Sequence, residues 1–260
     1  MNKYLNHNHK RNDSKKNDET MIFGLRPVIE MLKSGKEIDK LMVQQGLTGE
    51  TYGELRKILK DKNIACQYVP IEKLNRLTNK NHQGVIGYLA AITYQTIEEV
   101  VPFLFEKGKN PIILVLDRIT DVRNFGAITR TAECAGVDCI VIPDKGAAQV
   151  NSDAIKTSAG ALLKVPVCRV SNLRTTLEYL KKSGLQIVAC SEKADKLFDE
   201  VEYIKPTVVI LGSEEDGVSH ELLKLSDNFV KIPLFGEIAS LNVSVAAGVL
   251  LYEVIKQRKK

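Results

Sequence analysis

From residue 111 onward one pattern recurs six times: a short, unbroken apolar run followed by a polar stretch. The runs are PIILVLD, DCIVIP, LKVPVCRV, LQIVACS, TVVILGS and NFVKIPL. Helix-period segments fall among and after them, at roughly 124–135, 152–159, 172–182, 217–225 and 240–256. A strand with no polar alternation must be covered on both faces, and strands joined through helices run parallel. Residues 111–260 are therefore expected to form an α/β domain with a mostly parallel sheet and helices on both faces. About 150 residues are enough for one such core.

The chain before residue 111 reads differently. Residues 1–20, MNKYLNHNHKRNDSKKNDET, hold almost no apolar surface, too little to offset chain entropy, and read as a disordered polar tail. They also lack the apolar core of a secretory signal. Residues 21–95 alternate short helices (VIEMLKSG, TYGELRKILKDKN, IEKLNRLTN) with strand candidates (KLMVQQG, IACQYVP, GVIGYLAAITY) and read as a small α/β domain. Pro27 sits near the start of the first helix and Gly35 ends it. Residues 96–110 are expected to be a linker containing a short helix.

Charge separates the two parts. Lys and Arg exceed Asp and Glu by 11 to 7 over 21–95, whereas the two are equal at 19 each over 111–260. A basic module beside a neutral one suggests that one part holds a polyanion, although from charge alone an ordinary solvated surface explains +4 equally well. The five cysteines are widely spaced with no CxxC pair, so reduced thiols in a cytoplasmic protein are the default reading. No apolar run reaches 18 residues, and no membrane span is expected.

Common chemical signatures are missing. The sequence contains no GxGxxG, no GxxxxGK[ST] and no GxSxG. Only His82 and His220 lie within the expected folded region, which leaves little for a Ser-His-Asp system or a His-rich metal site.

Three segments at strand C-termini stand out, the edge where open α/β sheets bind ligands. In LDRITDVRNFGAITRTAECAG (116–136) a helix opens near Asn124, Gly126 permits close backbone approach, and Arg130 stands among small and apolar residues. Such an arginine needs an anionic partner; a structural salt bridge is the plain alternative. In VVILGSEEDGVS (208–219) a strand runs into Gly212, then three acids, then Gly217. Glu214 can accept from a hydroxyl or amine; three acids can also hold Mg²⁺, but a solvated turn is commoner. In VKIPLFGEIASLNVSVAAGVLLYEVI (230–255) Ser240 is a good helix N-cap, and Asn242 falls in the first turn, where core packing has no use for an amide.

Taken together, these segments resemble the three ordered motifs of the SpoU (TrmH) family of RNA 2′-O-ribose methyltransferases, in the SPOUT superfamily. The carrying residues are Asn124, Gly126 and Arg130, then Gly212, Glu214 and Gly217, then Ile232, Pro233, Ser240, Leu241 and Asn242; TSAGALLKVPV (157–167) is also similar. Residues 21–95 resemble the L30e/L7Ae-like RNA substrate-binding domain often fused to these enzymes. Within the family the arrangement is most similar to the 23S rRNA guanosine-2′-O-methyltransferases. Val122 stands where the family often has proline, which predicts a loop of changed stiffness.

The resemblance implies a deep trefoil knot in the C-terminal domain, against the general rule of unknotted chains. It implies S-adenosylmethionine as cofactor, held by Leu211, Gly212, Ile232, Pro233 and Leu241, with no metal required. It implies a homodimer with the active site at the subunit interface, and a catalytic set of Asn124, Arg130, Glu214, Ser240 and Asn242. Arg130 would anchor the acceptor ribose and phosphate, from its own or the partner subunit. A guanidinium, with a pKa above ~12, is a poor general base, so electrostatic anchoring is the favoured role and base catalysis the open alternative. A tRNA or another rRNA site as target, or a non-catalytic ribosome-assembly factor with the same fold, are the competing readings.

Overall fold

The computed structural model describes residues 21–62 and 64–259, so the tail expected over 1–20 lies outside the described residues. The chain forms two compact units that meet in sequence at Ala91 and Ile92.

The first unit is a four-stranded sheet in the order β1-β4-β2-β3, with β1 Met21–Phe23, β2 Ile38–Gln44, β3 Gln67–Val69 and β4 Val85–Leu89. β4 runs antiparallel to both neighbours, and β2 pairs with β3 in parallel. Helices α1 (Leu25–Lys33) and α2 (Glu50–Asp61) cover one face. Val28, Ile29 and Leu32 recur at helical spacing and pack with Leu55 and Leu59 onto Leu41, Val43 and Val85. The short α3 (Ile71–Asn75) places Leu74 against Met42, Val69 and Ile86 on the opposite face. β1 was not expected: three residues are too few to show a period.

The second unit carries a seven-stranded sheet in which every pairing is parallel, in the order β7-β6-β5-β10-β8-β11-β9. Its strands are β5 Ile112–Leu116, β6 Cys139–Pro143, β7 Val167–Val170, β8 Gln186–Cys190, β9 Lys196–Leu197, β10 Thr207–Leu211 and β11 Asn228–Lys231. Six of them are the apolar runs read from sequence, and β9 is a two-residue addition at the edge.

The unbroken hydrophobicity of these runs has the expected cause. In β5, Ile112, Leu114 and Leu116 face one core, while Ile113 and Val115 face another. On the first face lie α5 (Val122–Cys134), α6 (Ser152–Thr157) and α9 (Val243–Arg258); on the second lie α4 (Ile97–Glu106), α7 (Leu173–Lys182) and α8 (His220–Leu223). Helix α4 falls in the segment expected to be a linker. It belongs instead to the second unit, because Ile97, Val100, Val101 and Leu104 form an apolar stripe buried on the sheet. No helix among the described residues is long and apolar enough to cross a membrane.

Strand order positions the site. The chain lays down β5, β6 and β7 in one direction, then β8 and β9 beyond an open slot, and then returns β10 to that slot between β5 and β8. β11 likewise enters between β8 and β9. The segments leaving β5, β8, β10 and β11 therefore converge at one end of the sheet.

Candidate active site

Each wall of the site begins where an apolar strand runs out. After β10 the chain turns tightly through residues 212–218. Gly217, at φ 68°, donates its N–H to the Ser213 carbonyl at 2.9 Å, and the Asp216 N–H reaches Ser213 Oγ at 3.1 Å. Gly212 is obligatory here: a Cβ on it would lie 1.9 Å from the Gly217 carbonyl carbon and 2.1 Å from Val218 N.

After β5, Asp121 caps helix α5 by accepting the N–H groups of Arg123 and Asn124, each at 2.8 Å. The helix thus opens at Val122 rather than near Asn124. Position 122 is the first helical residue, not part of a loop; a proline there would remove only an N–H that has no partner within the helix. Gly126 lets α5 approach α6, since a Cβ would fall 2.6 Å from Thr157 Cβ. This contact explains the family-like stretch that starts at Thr157.

After β11, a loop exposing Phe235 (96%) and Ile238 (80%) leads to α9. Asn242 is the N-cap, correcting the expectation for Ser240: its Oδ1 accepts from Ser244 N at 2.9 Å and from Ser244 Oγ at 2.5 Å. Ser240 is exposed and lies two residues before the cap.

The three segments meet through side-chain amides. Asn242 Nδ2 donates to Asn124 Oδ1 at 3.0 Å and to Glu214 Oε1 at 2.9 Å, and Asn124 Nδ2 donates to the same Glu214 oxygen at 3.0 Å. One carboxylate therefore ties α5 to the start of α9. Glu214 also lines two hollows, Asn124 one of them and Asn242 neither. The first hollow is lined by Leu211, Gly212, Glu214, Ile232, Ser240 and Leu241, and also by Cys190 to Lys193 at the end of β8. The second is lined by Arg118 to Asp121, Asn124 and Glu214. Ser213 to Asp216 and Val243 wall both.

Of the residues expected at the site, Pro233 lines neither hollow; only its neighbour Ile232 does. Arg130 also lines neither. It is exposed on α5, six residues beyond Asn124 and so on a different side of the helix. Two contributors were missed. The end of β8 was passed over although it is a strand C-terminus like the others. Burial pushes its Cys190 thiol up to about 11, leaving it a poor nucleophile. The other is the Asp117–Arg118 pair, in which the buried Asp117 carboxylate, through its hydrogen bonds, holds the Arg118 guanidinium charged, above the usual arginine range.

Residues 111–252 match the model of the SpoU rRNA methylase family, and residues 21–95 match that of the RNA 2′-O ribose methyltransferase substrate-binding domain. The chain belongs to the SpoU methylase family. This SpoU protein is 35% identical over 237 residues to a putative TrmH family tRNA/rRNA methyltransferase, YacO, of Bacillus subtilis, covering 91% of this chain and 95% of the other. A Staphylococcus aureus protein of the same description is 34% identical, with 93% of this chain and 97% of the other covered. Among solved structures, the SpoU methyltransferase AviRb of Streptomyces viridochromogenes, in complex with AdoMet, matches with a TM-score of 0.59 and 21% identity, covering 98% and 95% of the two chains. The TrmH/SpoU tRNA modifying enzyme of A. aeolicus matches with a TM-score of 0.54 and 34% identity, over 62% of this SpoU chain and 84% of that one.

Proposed function

We propose that this chain transfers a methyl group from S-adenosylmethionine to a ribose 2′-hydroxyl of RNA, with a guanosine of 23S rRNA as the target. The observation that carries the reading is the Asn124–Glu214–Asn242 network, whose Glu214 lines two hollows that share a wall.

The first hollow suits the cofactor by its lining. Leu211, Ile232 and Leu241 would supply apolar surface for its purine, and Glu214 and Glu215 negative charge to balance its sulfonium. S-adenosylmethionine brings an electrophilic methyl carbon that needs no metal to activate it. The protein has to bring the acceptor oxygen into line and manage its proton. Glu214 Oε1 is engaged by two amides, which fixes the carboxylate in the wall of the second hollow as well as the first. In the second hollow it accepts the hydrogen bond of the 2′-hydroxyl and orients the oxygen lone pair. Asn124 and Asn242 hold that carboxylate, and Ser240 contacts the cofactor.

Arg130 acts as an electrostatic anchor for the acceptor phosphate and the developing alkoxide. Because it lines neither hollow of its own subunit, it is delivered by the partner of a homodimer. Val245 and Tyr252, each about half exposed on α9, provide apolar surface for that contact. The reading includes the trefoil knot, supported by the late insertion of β10 and β11 and by the packing of α9 on α5. RNA is held by the 21–95 unit, which carries the basic excess and matches the substrate-binding model. A cytoplasmic location follows from an RNA substrate.

The test is to map ribose methylation in rRNA and tRNA from cells with and without the protein, and to assay purified protein on each RNA. Loss of one 23S guanosine methyl is expected. Loss of a tRNA methyl instead would move the target, a reading favoured by the 34% identity to the A. aeolicus tRNA enzyme. Unchanged methylation everywhere would favour an assembly factor.

A further inference from the structure

We propose that Arg118 is a positioning residue for this reaction: its guanidinium fixes the 212–218 turn that walls both hollows, and so sets cofactor affinity and the placement of Glu214 together. The inference rests on the function proposed above.

β5 ends at Leu116, and the next two residues reach across to the end of β10. Asp117 is buried; its N–H donates to the Leu211 carbonyl at 2.8 Å, and its Oδ2 accepts the Ser219 N–H at 2.7 Å. Arg118 has φ 60°, a left-handed conformation that L residues seldom adopt, and this turns its side chain toward the 212–218 turn. Nη1 pairs with Asp216 Oδ2 at 2.8 Å, and Nη2 donates to the Gly217 carbonyl at 2.9 Å. Nε and Nη2 also lie 3.3 and 3.4 Å from the Asp117 carboxylate.

One planar group thus joins the base of the turn to its far end. The bonds from Gly217 and Asp216 to Ser213 close the turn on itself but do not attach it to the sheet. On the β5 side, attachment of its far end runs through Asp117 and Arg118, while the Asn124 amide holds only the Glu214 side chain. Glu214 sits inside the turn so held. A lysine has a single charged head and cannot span Asp117, Asp216 and Gly217 at once. Because Ser213 to Asp216 line both hollows, displacing the turn changes both.

The test uses the full-length chain with Arg118→Ala, Arg118→Lys and Asp216→Asn. S-adenosylmethionine binding is read by calorimetry, and hydrogen exchange is followed across the molecule. Arg118→Ala is expected to weaken cofactor binding roughly tenfold, the scale of one charge-assisted contact, and to speed exchange in residues 212–219 only. Arg118→Lys should recover only part of the affinity. Asp216→Asn should weaken binding in the parent but add nothing to Arg118→Ala, since its effect passes through the same pair. Unchanged affinity and exchange in Arg118→Ala would overturn the proposal. So would unchanged cofactor affinity with a shallower salt dependence of RNA binding, which would make Arg118 a phosphate contact. If the parent binds no S-adenosylmethionine, the proposed function fails, while exchange at 212–219 still decides whether Arg118 holds the turn.

Discussion

Glycine at 212 is demanded by the main chain that folds back over it. Gly212→Ala would drive a methyl group into the Gly217–Val218 peptide, so the turn must move. The expected result is a loss of roughly 1–3 kcal/mol in a denaturation curve, the scale of overpacking, together with loss of cofactor binding. Arg130 makes the opposite case. It is exposed, so Arg130→Ala should leave the melting temperature and cofactor affinity unchanged. Single-turnover methyl transfer should fall at least ~10²-fold, the scale of one transition-state donor. Near-normal turnover would remove Arg130 from the reaction. The sequence marked Asn242 as an amide with no packing purpose, Glu214 as an acceptor and Asn124 as a motif residue at a helix start, and the structure joins these three. It did not show Arg118, because an arginine after a strand looks like any solvated charge until Asp216 and Gly217, 98 and 99 residues away, are in place.

At the level of elements, the runs of β5, β6, β8 and β10 were legible because they are buried on both faces, leaving no polar alternation; β11 exposes Phe229 and was legible only from its place in the alternation of strands and helices. β1 and β9 were not, since strands of three and two residues carry no periodicity. The N-terminus of α9 was misplaced by two residues because Ser240 and Asn242 are both good caps, and only the tertiary bonds to Asn124 and Glu214 choose between them. Asn242→Ala should therefore cost more than the ~1 kcal/mol of an ordinary cap. It should also free Glu214 and lower turnover more than it lowers stability, as seen by comparing kcat with the denaturation midpoint. Asn242→Ser, which keeps a capping oxygen but loses the amide donor, should recover the cap's share of stability and not kcat.

For the whole molecule, the basic excess lies in the first unit and the network in the second. A chain starting at residue 92 is expected to keep S-adenosylmethionine affinity while RNA affinity drops and its salt dependence flattens, because the lysines that displace counterions are gone. Unchanged RNA binding at several salt concentrations would count against that division. Dimer geometry can be tested by mixing two inactive chains, Arg130→Ala and Asn124→Ala. If Arg130 serves the neighbouring site, mixed dimers contain one intact site, and random pairing should recover about a quarter of the parent activity. Recovery of none would place Arg130 in its own subunit.

The position of β10 has one more consequence. It fills the centre of the second unit's sheet, yet it is translated after five of the other six strands of that sheet. While a ribosome is still making residues 111–200, β5 and β8 have nothing between them and their flanks stay open. The hollows at this end of the sheet can therefore close only once residues 207–231 have been made, and a nascent chain stalled before residue 207 would expose two unsatisfied strand flanks to chaperones or to aggregation.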